Sequence, residues 1–551
     1  MMRAGVLFLC LTAAGLAHAA PTPVREAERR PLLLLAIGDS LGHGTMDATN
    51  NSWATENAYL HRVYGALTSV ASVHFTQPFF DLEENRIQPA VVPTNLAVDG
   101  ADVFSIEGIE YGKRVGSPVN SVSSSLLADQ WLPFRLEDDY DKVLYPTNVH
   151  ARQPMSQVDS AIWLIDRWAP RRRIDRALAI IWIGNNDSST AALGQGGANP
   201  SFLPIPLRQI APAVDPLLSA LLAFGKARGD VSFEPYTVES IERNLSEVDD
   251  FAAQYDAVLT RMLAETGASD VDVDYFLLTL PYYSAVGYLM DSDDIEFYLR
   301  KLDPGYSVPP SFARVNLPEE PLSGDRISLL TFGFMYTLLA TGYSSDYVNT
   351  VLEVRGTQKD GLVLSEAEQR IIMARIDEFN AIIHAIAERS GDSVHLVEIG
   401  ELLNRGFLGE IPIEVNGRTL SRKWIRGGGL TFDGVHPNLT GQSLIANFLL
   451  LALGEVLGSA PPLYDLSAVA SEDPYWDSDG DGFAPGPPWA AQGIPELLHL
   501  FRDPDDSSVA VQVALPENVW EIISSVLLEE ILGVPGIRAE AQRRGVEAAF
   551  R

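Results

Sequence analysis

Residues 32–37 form an unbroken apolar run that ends in Gly38-Asp39-Ser40-Leu41-Gly42. A strand that is apolar on both sides must be covered on both faces, which is the situation of a strand inside a parallel sheet. Ligands of open α/β sheets gather at the carboxyl ends of such strands. The run therefore predicts a buried parallel strand that delivers a serine into a turn at the functional edge. Residues 178–183, 275–280 and 395–399 repeat the apolar pattern. Between them lie stretches with helical spacing, at 238–266, stopped by Gly267, and at 364–389, opened by Ser365 and Glu368 in capping-box positions. Strands alternating with helices predict an α/β fold with a mainly parallel sheet covered on both faces.

A chain of 551 residues exceeds what one core usually organises, so an elaborated domain plus an appendage is expected. With 46% apolar and 21% charged residues the chain is globular in composition rather than disordered or fibrous. Forty Lys and Arg against 73 Asp and Glu leave a formal charge of −33, which repels phosphate backbones and argues against a nucleic-acid partner. The single cysteine, Cys10, lies in a leader-like start: Met1-Met2-Arg3, an apolar stretch at 4–16, and Ala17-His18-Ala19 as a small-x-small cleavage site. Residues 1–19 thus read as a secretory signal peptide and 20–30 as a linker. The expected mature chain is secreted or periplasmic, with no cysteine, no disulfide, no thiolate metal site and no transmembrane anchor.

Chemistry-bearing residues fall in four short segments. In the first, Gly38 permits a tight turn and Ser40 is a candidate nucleophile, though a serine after a strand is more often a helix cap. In the second, Asn95-Leu96-Ala97-Val98-Asp99-Gly100-Ala101, the glycine can present its backbone N–H to an oxyanion or serve as an ordinary turn residue. The third, Ile183-Gly184-Asn185-Asn186-Asp187, follows a strand and carries an amide that donates without ionising. The fourth, Asp433-Gly434-Val435-His436-Pro437, places a carboxylate three residues before a histidine, close enough to orient the ring as a base or to form only a surface hydrogen bond. Asp39 and Asp187 are read as supports of their turns through local hydrogen bonds. Among the other histidines, His43 is the candidate to line the pocket.

Taken in order, the four segments resemble the blocks of the SGNH/GDSL hydrolase superfamily, and residues 278–283 and 395–402 look like its bacterial secreted lipase and acylhydrolase branch. The resemblance spans about residues 31–458. It implies a three-layer α/β/α sandwich of flavodoxin-like type with large insertions. By the same resemblance Ser40 is the nucleophile, His436 the general base and Asp433 its orienting carboxylate, while Ser40 N–H, Gly100 N–H and the Asn186 amide form the oxyanion hole. The implied activity is hydrolysis of carboxylic esters, of lipid or of small and carbohydrate-linked acyl groups, through an acyl-serine and without a catalytic cofactor. Acyl transfer from the same acyl-serine, and a calcium-stabilised surface-binding protein with a vestigial site, stand as alternatives.

Long stretches at about 104–172 and 190–235 separate the blocks and read as loops or a cap over the site. Residues 327–343 are apolar, as a buried helix would be, or as a wall of an acyl pocket or a transient contact with a lipid surface. From 459 to 551 the chain changes character and reads as a C-terminal extension with helices. Asp477-Ser478-Asp479-Gly480-Asp481-Gly482 matches the first half of a calcium loop, with Asp477, Asp479 and Asp481 as ligands. Pro488 stands where such a loop has its twelfth-position carboxylate, so a further ligand must come from elsewhere, Asp473 and Glu496 being candidates. Residues 519–532 read as an amphipathic helix.

Overall fold

The computed structural model describes residues 31–487 except 83–84, 123–138, 194, 197–231, 234–235, 341–343 and 354–361. The leader at 1–19, Cys10, Pro488, Glu496 and the helix expected at 519–532 lie outside the described residues.

Strand β1 spans Pro31–Gly38, and the short helix α1, Ser40–His43, follows it directly; helix α2 is Tyr59–Leu67 and strand β2 is Ser72–His74. Helix α3 (Gln157–Trp163) precedes β3 (Arg176–Trp182), from which α4 (Asn186–Leu193) departs. Helices α5 (Val238–Asn244) and α6 (Val248–Thr266) lead to β4, Asp272–Leu278. Helix α7 (Glu366–Arg389), β5 (Val394–Val397), α8 (Ile399–Phe407) and α9 (Leu439–Leu457) complete the frame.

The five strands form one all-parallel sheet in the order β2-β1-β3-β4-β5, with Gly38 in register with Trp182 and Leu277 with Ile181. All four strands anticipated from apolar runs are present within two or three residues of their expected ends. Strand β2 had no signal, because at the sheet edge its three residues are only half-buried or exposed. Buried leucines of β1 and Ala177 to Ile181 of β3 fill the centre of the core, as full coverage of a parallel sheet demands. Helices α3, α6 and α7 pack together against the sheet, and α2 packs on α9.

Helix α7 starts as expected, with Ser365 and Glu368 making both bonds of a capping box. The helical stretch at 238–266 is instead two helices broken at Leu245 and Glu247, both in extended conformation. The break has a tertiary cause: Ser246 N–H donates to Asp187 O at 3.0 Å, so the chain leaves the helix to meet the start of α4.

Helix α9 is long and apolar enough to cross a membrane by length and composition, yet 61% of its apolar window is buried in this fold. Its N-cap is Asn438, whose side chain accepts from Gly441 N–H. Residues 327–343 contain the helix Leu329–Ala340, with Phe332 and Met335 fully buried.

Candidate active site

Every segment that follows a central strand turns toward the same edge of the sheet. One solvent-open cleft there is lined by Ser40 after β1, Asn186 after β3, Tyr282 and Val286 after β4, and Leu403 and Phe407 of α8 after β5. Asp433 and His436, from the loop before α9, line it as well. The edge expected from topology is thus the place where the four sequence segments meet.

Ser40 is held by its neighbours on both sides. A Cβ on Gly38 would lie 2.7 Å from the carbonyl oxygen of Trp182, so only glycine allows β1 and β3 this close approach. Gln157 of α3 clamps Gly38, accepting from its N–H at 3.0 Å and donating to its carbonyl at 3.1 Å. Asp39 caps α1 by accepting from Leu41 N–H at 3.0 Å, and its other oxygen accepts from Asn185 Nδ2 at 2.8 Å. Burial pushes the Asp39 carboxyl up to about 6, against the lowering effect of those two donors. Asp39 therefore does supply the local turn bond expected of it, but it also ties β1 to the segment after β3.

Asp433 is buried, and five protein donors meet its carboxylate. Its Oδ1 takes Thr431 Oγ1 at 2.9 Å, Val435 N–H at 2.8 Å and His436 N–H at 2.9 Å. Its Oδ2 takes Ala48 N–H at 2.8 Å and lies 2.7 Å from His436 Nδ1. Burial raises the Asp433 carboxyl, but the His436 ring and the donors around it outweigh burial and hold it below the usual carboxylate range. The Nδ1 proton of His436 is thereby fixed toward Asp433, which leaves Nε2 with the lone pair a base needs. Ser40 Oγ has no hydrogen-bond partner among the described residues; nucleophile–base bonds are often long in the absence of substrate.

Three donors are available for an oxyanion. The N–H groups of Ser40 and Gly100 have no acceptor among the described residues. Gly100 takes φ +76°, the left-handed region that favours glycine, beside Asp99 on the cleft wall. Asn186 spends one amide proton on Ala101 O at 2.9 Å and its oxygen accepts from Ser189 Oγ at 2.9 Å, so its orientation is set and one Nδ2 proton remains.

Several expectations need correction. His43 does not line the cleft; it is fully buried against Phe80, and Asp99 N–H donates to its Nδ1 at 3.3 Å. Burial pushes its ring pKa down. Asp187 makes long-range bonds rather than local ones, to Val103, Arg114 and Ser246. None of the described residues of 104–172 lines the cleft; most of 190–235 lies outside the described residues, and of those described there Leu193 alone is on the cleft wall. The first stretch instead packs into the core, where Phe104, Val158 and Leu164 are fully buried. No described side chain of 327–343 lines the cleft, and Phe332 and Met335 are buried in the core as a buried helix requires.

Asp477, Asp479 and Asp481 do converge, with ligand atoms within 4.8 Å of one another. Asp477 accepts from Gly480 N–H at 2.5 Å and Gly482 N–H at 2.8 Å, and Arg418 flanks it at 3.5 Å. Asp481 Oδ2 is buried without a partner among the described residues, and burial with the neighbouring Asp479 and Asp477 charges pushes that carboxyl up. Oxygen donors crowded in this way fit a hard cation. Asp473 is not available to it. Its Oδ2 accepts from Thr440 N–H at 2.9 Å and Oγ1 at 2.8 Å, and its Oδ1 from Tyr475 N–H at 3.0 Å. A second acidic group, Asp291, Asp293 and Asp294, is neutralised by Arg422, Lys423 and Arg426.

Gln157, Asn185, Arg114 and Ser246 were not legible as site residues. Asn185 stood in the third segment without a role of its own, and each of the four has a partner that lies far away in sequence. Comparisons with protein-family models, curated proteins and solved structures found no match to this chain.

Proposed function

We propose that this protein is an exported serine ester hydrolase of the SGNH/GDSL type, cleaving carboxylic esters through an acyl-serine. The observation that carries this reading is the meeting, in one cleft, of Ser40, an Asp433-oriented His436 and the Asn186 amide, with the Ser40 N–H, and the Gly100 N–H next to the cleft residue Asp99, lacking an acceptor among the described residues. The five-stranded parallel sheet in the order β2-β1-β3-β4-β5 is compatible with the three-layer sandwich of that superfamily.

A serine hydroxyl does not ionise at neutral pH, so His436 Nε2 takes the Ser40 proton as Oγ attacks the ester carbonyl. The carbonyl electrons move onto oxygen, where Ser40 N–H, Gly100 N–H and Asn186 Nδ2 receive the charge. Collapse expels the alkoxide, which takes the proton back from His436. Water then repeats the sequence on the acyl-serine and releases the acid. Asp433 keeps the ring in the required tautomer and stabilises the imidazolium.

The cleft wall is mostly apolar, with Trp182, Leu193, Val286, Leu403, Phe407 and Ile445 among its residues. Such a lining favours an acyl chain of several carbons over acetate, since each buried methylene contributes about 0.8 kcal/mol. The acidic loop at Asp477 to Asp481 is proposed to bind a structural calcium.

The test is turnover of p-nitrophenyl esters from acetate to palmitate by wild type and Ser40→Ala. Ser40-dependent turnover that rises from acetate to medium chains supports the reading. Its absence on every chain length rejects it and leaves the vestigial surface-binding protein.

A further inference from the structure

Gly100 and Asn186 lie on segments far apart in the chain, and a pair of oxyanion donors is effective only if its spacing is held within about 0.5 Å. These two segments are joined directly at two points. Asn186 Nδ2 donates to Ala101 O at 2.9 Å, and Val103 N–H donates to Asp187 Oδ2 at 3.0 Å. Arg114 closes the connection from a third segment. It pairs with Asp102 Oδ2, reaches Asp187 Oδ1 at 3.3 Å and donates to Ser246 Oγ at 2.6 Å. Ser246 in turn donates its hydroxyl to Asp187 Oδ1 at 2.6 Å.

The network is almost dry. Asp187 and Ser246 are fully buried, and the Arg114 side chain is 7% exposed. None of Asp102, Arg114, Asp187 and Ser246 lines the cleft, so none can touch substrate. Burial and the Asp102 charge both push the Asp187 carboxyl up, and Arg114 is the cation that opposes them. Without it two buried carboxylates would face each other across the joint between the segments and drive them apart. A shift of about 1 Å in a reacting group can cost roughly 10²-fold in rate.

We propose that Arg114 is a positioning residue for the oxyanion hole, setting the spacing of Gly100 and Asn186 by bridging Asp102 and Asp187. The inference rests on the ester-hydrolase reading of the cleft.

The experiment compares wild type, Ser40→Ala, Asn186→Ala, Arg114→Gln, Arg114→Lys and the double variant Arg114→Gln/Asn186→Ala on the p-nitrophenyl ester that wild type turns over fastest. Arg114→Gln is expected to lower kcat about 10²-fold with KM within about twofold, and Arg114→Lys to recover part of the loss. The double variant is expected to be no slower than Asn186→Ala alone, because a donor already removed cannot be misplaced. A simple structural ion pair would not produce that non-additivity. Wild-type kcat in Arg114→Gln, or losses that multiply in the double variant, would overturn the proposal. If Arg114→Gln does not fold, Asp102→Asn and Ser246→Ala take its place in the cycle under the same two criteria. Absence of Ser40-dependent turnover in wild type removes the hydrolase reading and the positioning role with it, whereas turnover in wild type with an indifferent Arg114→Gln removes the positioning role alone.

Discussion

Asp433 Oδ2 sits between His436 Nδ1 at 2.7 Å and Ala48 N–H at 2.8 Å. One carboxylate oxygen thus ties the loop that carries the candidate base to the chain just beyond α1, which begins with the candidate nucleophile. An amide in its place can present the wrong group to the ring and favour the wrong tautomer. Asp433→Asn is expected to lower kcat by about 10³–10⁴-fold, as loss of the orienting carboxylate does in comparable triads, with the protein still folded by circular dichroism. Retention of more than a tenth of wild-type kcat would remove Asp433 from the mechanism.

The same carboxylate has a consequence for acid stability. Its folded pKa lies below the ordinary value of 3.8, so its contribution is present above that value and is lost as pH falls through the lower folded one. The gap in melting temperature between wild type and Asp433→Asn should therefore be widest above pH 4 and shrink below it. A gap that widens on acidification would contradict this.

Asp473 has the opposite sign. Burial pushes its carboxyl up to about 6, so the folded state binds this proton more tightly than the unfolded chain does. Its contribution is fully present below about pH 4 and declines as pH rises through 6. The stability of Asp473→Asn relative to wild type should accordingly improve by up to about 3 kcal/mol between pH 4 and pH 7. Urea melts at several pH values measure the difference, and a pH-independent gap would refute it.

Val286 is a half-buried aliphatic residue on the cleft wall after β4, so a larger side chain there can be accommodated by narrowing the cleft. Val286→Trp is expected to reduce kcat/KM for octanoate or longer esters by about tenfold or more while leaving acetate within about threefold, since only the longer chain needs the occupied volume. Equal effects on all chain lengths would mean that Val286 does not border the acyl path.

For the acidic loop, calcium at about 100 times its Kd is expected to stabilise chelator-treated protein by about 2.7 kcal/mol, read as a rise in melting temperature. Asp481→Asn should abolish that rise, because Asp481 brings the buried oxygen that lacks a partner among the described residues. An unchanged melting temperature in wild type would eliminate the site.

Much of the frame was legible because it depends on patterns a few residues long. The apolar runs of β1, β3, β4 and β5 state their own burial, and the capping box at Ser365 and Glu368 states where α7 begins. The four site segments were visible as short runs, the first and third at strand ends, and the roles expected of them came from the resemblance that their order carries. The edge strand β2 was not, because a half-exposed strand has no apolar signature.

What the sequence alone determined is the set of chemical groups and the strand edge from which most of them project. Tertiary structure decided how those groups are held. Gln157 clamps Gly38 across 119 positions, Ala48 meets Asp433 across 385, and Ser246 breaks a helix to reach Asp187. It also moved Asp473 from candidate cation ligand to an acceptor for Thr440 in the first turn of α9, and His43 from cleft to core. Local patterns report the period and polarity of a few neighbouring residues, whereas a buried polar group is satisfied by whichever partner the fold brings to it.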